Sequence, residues 1–308
     1  MKAITQINKQ AKPFIKWAGG KSQLLSEIDK TIPSFIKQTQ FTYIEPFVGA
    51  GAVLFYILQK YPQIKRVVIN DINTDLITAY KTIKQNVEEL IVILKKWEKE
   101  YHSLKDNYDK RKEYYYTKRT LFNTRKSAET TQTALLIFLN RTCFNGLYRV
   151  NKKNQFNVPI GSYKTPKICD EHNLKAVNKL LQKVIILNED FEGTLKYAAK
   201  NTLFYLDPPY KPISKTSNFT SYTEKKFDDN EQIRLANFCK EINSLGYYWI
   251  LSNSEIKGND FFEKLYRNFN IRRVKARRSI NSNPNKRGEL TELLITNYSY
   301  EKNISVAM

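Results

Sequence analysis

The chain has 308 residues, with 51 Lys and Arg against 30 Asp and Glu, a formal net charge of +21. That length holds one large domain with a smaller one inserted, and the charge predicts a salt-sensitive attraction to phosphate. No apolar run reaches the roughly 18 residues of a membrane span, and no apolar h-region opens the chain, so a cytoplasmic protein without membrane contact is expected.

Near the N-terminus, Gly20-Lys21-Ser22 has the ending of a phosphate-binding P-loop. That motif needs a glycine five positions before Gly20, where Ile15 stands, so a Walker-type ATPase is excluded. Phe41 to Phe47 is a β-type run, followed by Gly49-Ala50-Gly51 and the apolar helical stretch Ala52 to Leu58. Strand, glycine turn and helix form a nucleotide-cradling unit, because glycine lets the backbone approach a ligand closely. Leu54 replaces the third glycine of the dinucleotide fingerprint. A second β run, Arg66 to Asn70, ends in Asp71, twenty residues past Gly51. An acid at that strand tip is placed to accept hydrogen bonds from ribose hydroxyls. These residues alone leave S-adenosylmethionine and NAD both open as the nucleoside ligand.

A segment of different character follows. Val87 to Tyr101, Lys110 to Asn123 and Thr131 to Asn140 carry helical apolar spacing, and Tyr148 to Val158 reads as a hairpin around Lys152-Lys153-Asn154. Short apolar runs then resume at Val184 to Leu187, Thr202 to Leu206 and Tyr247 to Ser252, as in a parallel sheet buried on both faces. Ile271 to Val274 and Leu290 to Asn297 are expected to close the sheet as a hairpin pair, joined by the polar connection Asn281 to Gly288. Within Arg272, Arg273, Lys275, Arg277 and Arg278, strand alternation puts Arg273, Lys275 and Arg277 on one face. That face either follows a phosphate backbone or protects an edge strand by charge. Cys143, Cys169 and Cys239 are far apart and only His102 and His172 could join them, so reduced thiols and no metal site are expected.

The run Thr202 to Leu206 stops in Asp207-Pro208-Pro209-Tyr210. Two prolines lack N–H groups and hold the carbonyls rigidly. An acid beside a free carbonyl offers two acceptors to the two donors of an exocyclic amine, and a tyrosine ring stacks on a planar base. A nucleobase amine held this way is a nucleophile awaiting an electrophile.

Lys16-Trp17-Ala18-Gly19-Gly20-Lys21, Glu45-Pro46-Phe47-Val48-Gly49-Ala50-Gly51, Asn70-Asp71-Ile72-Asn73, Asn145-Gly146-Leu147-Tyr148-Arg149-Val150-Asn151, Phe156-Asn157-Val158-Pro159 and the DPPY tetrapeptide occur in this order, over roughly residues 13 to 297. On these motifs the chain closely resembles the Dam-type family (D12 class, alpha group) of adenine-N6 DNA methyltransferases. The resemblance implies an α/β, Rossmann-like S-adenosylmethionine-dependent methyltransferase fold with an inserted, mainly helical DNA-recognition domain. Residues 1–80 and 176–308 would be the two parts of the catalytic domain, and 81–175 the target recognition domain. It also implies S-adenosylmethionine as cofactor, double-stranded DNA as partner, no obligatory protein partner, and transfer to N6 of a flipped-out adenine.

The family roles map onto matching positions. Trp17, Lys21, Glu45, Phe47, Gly49, Gly51, Asp71 and Asp207 would line the cofactor pocket. Asp207 and the Pro208 carbonyl would accept from the N6 amine while Tyr210 stacks on the base. Acceptors on both amine hydrogens favour a pyramidal, more nucleophilic nitrogen, so Asp207 orients rather than deprotonates. Lys16, Phe144, Asn145, Leu147, Arg149, Asn151, Pro159 and Tyr163 would face the DNA. Arg149 suits guanine O6 and N7, Leu147 and Pro159 a thymine methyl, and Phe144 a wedge where the base leaves the stack. Tyr148, Val150 and the Lys152-Lys153-Asn154 tip depart from the family's pattern or vary within it. GATC is the expected target, with a place in a restriction–modification system. Structured RNA as substrate, or DNA binding without catalysis, are the alternatives; the aromatic wedge and Arg149 hairpin favour duplex DNA, and the intact motifs favour catalysis.

Overall fold

The computed structural model describes residues 10–17, 19–210, 227–256, 258–277 and 289–299. Apolar, β-branched and aromatic runs form strands β1 (Phe41–Glu45), β2 (Ile64–Asn70), β3 (Val184–Leu187), β4 (Thr202–Leu206), β5 (Tyr248–Ser254), β6 (Asn270–Arg277) and β7 (Glu289–Thr296). The helices are α1 (Leu25–Thr31), α2 (Ala52–Lys60), α3 (Thr74–Gln85), α4 (Val87–Ser103), α5 (Tyr108–Thr124), α6 (Glu129–Thr142), α7 (Glu171–Leu181), α8 (Asp229–Ser244) and α9 (Phe261–Leu265). One sheet holds the strands in the order β3-β2-β1-β4-β5-β7-β6. β1 to β5 pair in parallel, and β7 inserts antiparallel between β5 and β6.

Strand alternation sends successive residues to opposite cores. Tyr43, Val67 and Leu203 join Leu54 of α2, Leu76 of α3 and residues of α4 to α7 on one face. Ile44, Val68 and Phe204 join Leu235 of α8 and Phe262 of α9 on the other. The inserted helices therefore share their apolar core with one face of the sheet, through side chains such as Leu90, Tyr115 and Leu135. The expected boundaries at residues 80 and 175 fall inside α3 and α7.

Strand order reverses between β1 and β4, where connections leave in opposite directions and open a crevice beyond the carboxyl ends. Glu45 closes β1 and Asp207 follows β4, so both acids stand at that crevice. β1 stops two residues short of the predicted Phe47, because Pro46 has no N–H for the ladder. β5 runs on to Ser254, two residues beyond the predicted end. Leu54, which replaces the third glycine, is fully buried and fills the helix–sheet contact that a glycine would have narrowed.

The predicted closing hairpin is the pair β6 and β7. β6 is an edge strand; Arg272 pairs with Glu27, and Arg273 with Glu255 and Glu263. Protein carboxylates take both guanidinium groups. Arg278 and the connection Asn281 to Gly288 lie outside the described residues. Among the described residues no helix is long and apolar enough to cross a membrane.

Candidate active site and nucleic-acid interface

After Pro46 the chain turns through Phe47 to Gly51 into α2. Gly51 has φ 76°, and a Cβ there would stand 2.5 Å from the Tyr80 hydroxyl, so glycine alone fits. The Tyr80 hydroxyl donates to the Gly49 carbonyl at 3.0 Å and pins the turn. Asp71, just past β2, accepts from the Gly49 N–H at 3.1 Å and the Asn73 N–H at 2.9 Å. Burial pushes the Asp71 carboxyl up to about 6, against the opposing pull of those two N–H groups. Asn73 also caps α3 through the Leu76 N–H, and the Asn70 amide donates to the Pro46 and Glu189 carbonyls, tying together the ends of β1, β2 and β3. The Phe47 ring lies 5.3 Å from Phe191 and 5.8 Å from Phe227.

Ile72 is 58% exposed beside Asp71. Sequence reasoning passed it over; its signal is one apolar residue among strand-end polar ones. A glycine turn at a helix N-terminus, an oriented carboxylate with lone pairs to spare, and an exposed apolar side chain suit the hydroxyls and flat base of a nucleoside.

The second half of the site gathers around Lys21, whose side chain is 3% exposed. Its ammonium lies 2.8 Å from Asp207 Oδ1 and 3.9 Å from Glu292 Oε2. It donates to the Gly19 carbonyl at 2.9 Å and stands 4.5 Å from the Tyr210 ring centroid. Ser252 of β5 donates to the same Asp207 oxygen at 3.1 Å and shares a 3.0 Å hydrogen bond with Tyr205. The Asp207 side chain is 19% exposed; burial pushes its carboxyl up, and the Lys21 ammonium pulls it back. Pro208 is buried, and the Pro209 carbonyl accepts from Gln232 Nε2 at 3.1 Å. Glu45 is buried, accepts from the Tyr43 hydroxyl at 2.7 Å, and is pushed well above the usual carboxylate range by burial. Ser252, Gln232 and Glu292 are neighbours of the candidate site that the sequence motifs missed; Gln232 lies on the mostly apolar buried face of α8, and Ser252 and Glu292 lie in strands that mix apolar and polar residues.

Trp17 connects the two halves to the hairpin segment. A Cβ on Gly49 would lie 3.3 Å from Trp17 Cδ1, and the Trp17 ring stacks on Tyr148 at 4.9 Å and 28°. The Tyr148 hydroxyl donates to Asp75 at 2.6 Å, and Arg125 pairs with the same carboxylate while donating to the Asn154 carbonyl at the hairpin tip.

The hairpin is present, as isolated bridges between Cys143 and Ile160 and between Val150 and Phe156. Phe144 is 48% exposed at its base, and its N–H donates to the Pro159 carbonyl at 2.9 Å. Asn145 takes a left-handed φ of 56°, a conformation asparagine tolerates. Leu147 packs partly buried against the core, while Lys16 projects its ammonium 5.2 Å from the Tyr163 ring. Arg149 crosses the hairpin, with Nε donating to Asn157 Oδ1 at 2.7 Å. Asn151 shapes the tip, its Oδ1 accepting from the Lys153 and Gln155 N–H groups. Buried Asn140 holds the whole assembly: it accepts from the Lys16 N–H and donates to the Lys16 and Gly146 carbonyls. The fold thus gathers Lys16, Phe144, Asn145, Pro159 and Tyr163 near one end of the segment, and sets Arg149 and Asn151 along its arm.

Comparison with known proteins agrees with this geometry. The family model of the D12 class N6 adenine-specific DNA methyltransferases matches residues 17–280. A Type II methyltransferase, M.MjaIII, of Methanocaldococcus jannaschii is 52% identical over 94% of this chain and all of its own length. A second Type II methyltransferase, M1.LlaDCHI, of Lactococcus lactis subsp. cremoris is 40% identical over 96% of this chain and 99% of its own. A DNA adenine methylase of Haemophilus influenzae is 38% identical over 92% of each chain. The protein is a DNA adenine methyltransferase and belongs to the D12 class of N6 adenine-specific enzymes.

Proposed function

We propose that the methyl donor is S-adenosylmethionine and that the acceptor is the N6 amine of an adenine turned out of duplex DNA. The observation that carries this reading is the meeting of Asp207, Tyr210 and Lys21 at the strand-order reversal, beside the glycine turn and Asp71. Bound S-adenosylmethionine supplies an electrophilic sulfonium methyl. Asp71 accepts from its ribose hydroxyls, Gly49 and Gly51 let the backbone approach, and Trp17, Phe47 and Ile72 offer apolar faces. Glu45 and Lys21 complete the lining.

Asp207 and the Pro208 carbonyl accept from the target amine and Tyr210 stacks on its ring. This favours the pyramidal nitrogen that attacks, and holding the reactants together supplies the proximity contribution. Transfer would form the N6–CH3 bond as the donor's S–CH3 bond breaks; the amine becomes acidic only after transfer, so its proton would pass to water and no strong base is required. Residues 1–80 and 176–308 carry this chemistry, and 81–175 carry target recognition. In that unit Arg149 reads a guanine, Leu147 and Pro159 meet a methyl, Phe144 fills the gap left by the base, and Asn145, Asn151 and Tyr163 complete the contact surface together with Lys16 from the N-terminal motif.

The proposed target is GATC. A role as the modification enzyme of a restriction–modification system is favoured by the Type II designation of the two relatives named above. Methylome sequencing of DNA from a methylation-free host expressing this chain tests the reading. N6-methyladenine confined to GATC is the expected result. The same mark at another short site overturns the target sequence, and its absence overturns the site assignment.

A further inference from the structure

Glu292 lies in β7, just before Leu293-Leu294-Ile295, and has no place in the motifs that define the family resemblance. The antiparallel register sets it opposite Ser254 of β5 and Val274 of β6. Its side chain is 13% exposed. A carboxylate so enclosed in a strand costs free energy unless partners satisfy it. Two partners do, and both belong to the catalytic site: the Tyr210 hydroxyl donates at 2.8 Å, and the Lys21 ammonium lies at 3.9 Å.

Lys21 in turn bonds Asp207 and covers one face of the Tyr210 ring. A base stacking on Tyr210 therefore uses the opposite face. Two groups of the proposed chemistry, the cation that pairs with the acceptor carboxylate and the stacking ring, meet on one side chain delivered by the closing hairpin.

We propose that Glu292 is a positioning residue for methyl transfer, holding the Tyr210 ring by its hydroxyl and Lys21 between two carboxylates. The ring plane offered to the extruded base is thereby fixed before the base arrives, as effective catalysis by proximity requires. The proposal rests on the assignment of Asp207 and Tyr210 to the target amine.

The test is single-turnover methyl transfer, together with S-adenosylmethionine affinity by calorimetry, for Glu292→Gln, Glu292→Leu, Tyr210→Phe and the double variant Glu292→Leu/Tyr210→Phe. Gln still accepts from the hydroxyl but cannot neutralise Lys21, and Leu fits a strand of apolar residues. The expected result is a transfer rate lowered on the order of tenfold or more for Glu292→Leu. Glu292→Gln should fall between wild type and Leu, and cofactor affinity should stay within about threefold. Because Tyr210→Phe removes one end of the same interaction, the double variant should be no slower than Glu292→Leu alone. A wild-type rate in Glu292→Leu, or losses that multiply in the double variant, overturns the proposal. Asp207→Ala measured alongside separates the two levels: if it too transfers normally, the site assignment fails, and if it alone is inactive, only Glu292 does.

Discussion

The crevice at the sheet and the recognition hairpin meet at Trp17 but are held in different ways. In the crevice each functional group sits at a strand end and is fixed by a neighbouring strand or turn: Asp71 by Gly49 and Asn73, and Asp207 by Lys21 and Ser252. The hairpin has isolated bridges and short local hydrogen bonds of its own, among them Arg149 to Asn157 and the turn closed by Asn151. It is held from outside, by Asn140, by Asn123 paired reciprocally with the Phe156 backbone, and by Tyr115 on the Val158 carbonyl at 2.8 Å. The crevice is thus preorganised by the sheet, whereas the hairpin proposed to read the target leans on side chains of the inserted helices. Damage to the scaffold should therefore cost recognition, and damage at strand ends should cost transfer.

The largest effect should come from Asp207→Ala. It removes an acceptor for the amine and leaves buried Lys21 with Glu292 at 3.9 Å as its remaining carboxylate. A loss on the order of 10²–10³ or more in kcat is expected, with DNA affinity nearly unchanged. Near-normal turnover in a methyl-transfer assay would remove Asp207 from the mechanism. On the scaffold side, Asn140→Ala deletes three hydrogen bonds linking the N-terminal motif to the hairpin. Leaving those backbone groups unpaired should cost about 2–4 kcal/mol in denaturant unfolding. A change under about 1 kcal/mol would mean that the scaffold is less decisive than the comparison says.

The same contrast explains what was legible in advance. Strand ends and their acids could be read because a short apolar run followed by Asp-Pro-Pro or Asn-Asp states locally where a strand stops. Alternation then assigns faces, and the strand runs match the observed strands to within about three residues, the largest difference being at the end of β6. Glu292, Ser252 and Gln232 were not legible, because their partners lie on other strands and the register that brings Glu292 to Tyr210 is set by β5 pairing with β7. In the hairpin, the residue types suited to bases could be named. Arg149 bonding Asn157 and Asn151 closing its own turn are local hydrogen bonds, and a motif read for DNA contacts overlooks them. The inserted helices were located by spacing, yet nothing in the spacing said that they share a core with the sheet.

Arg149→Ala sharpens the recognition side. With Nε engaged by Asn157 Oδ1 and one terminal nitrogen 3.5 Å from the Asn157 carbonyl, the outward edge of the guanidinium is the part that would face guanine O6 and N7. Loss of discrimination by about 1–3 kcal/mol at a single guanine position is expected in competition binding against single-base variants of the target. Equal weakening on every sequence, with a shallower salt dependence, would instead make Arg149 a phosphate contact.

The smallest expected effect tests the crevice through pH. The Asp71 carboxyl, pushed up to about 6 by burial, would have to be ionised to accept from both ribose hydroxyls of the proposed cofactor. Binding should be flat above pH 7 and weaken as pH falls through 6, approaching tenfold per pH unit below it. The stability contribution runs the other way. A carboxyl whose folded-state pKa lies above its ordinary 3.8 binds its proton more tightly when folded, so the molecule gains stability from it as pH falls from about 6 towards 4. Glu45, Asp207 and Glu292, all raised by burial, act in the same direction. Glu27, Asp29 and Asp170 are lowered, so the stability they contribute is lost only below the usual carboxylate range. Between pH 7 and 5, then, cofactor affinity should drop while these raised acids favour the fold, a combination that acid denaturation cannot produce. Calorimetric titration of S-adenosylmethionine across that window, repeated with Asp71→Asn, decides the matter. The variant should bind weakly and with little pH dependence; an unchanged slope would assign the titration to another carboxyl of the cluster.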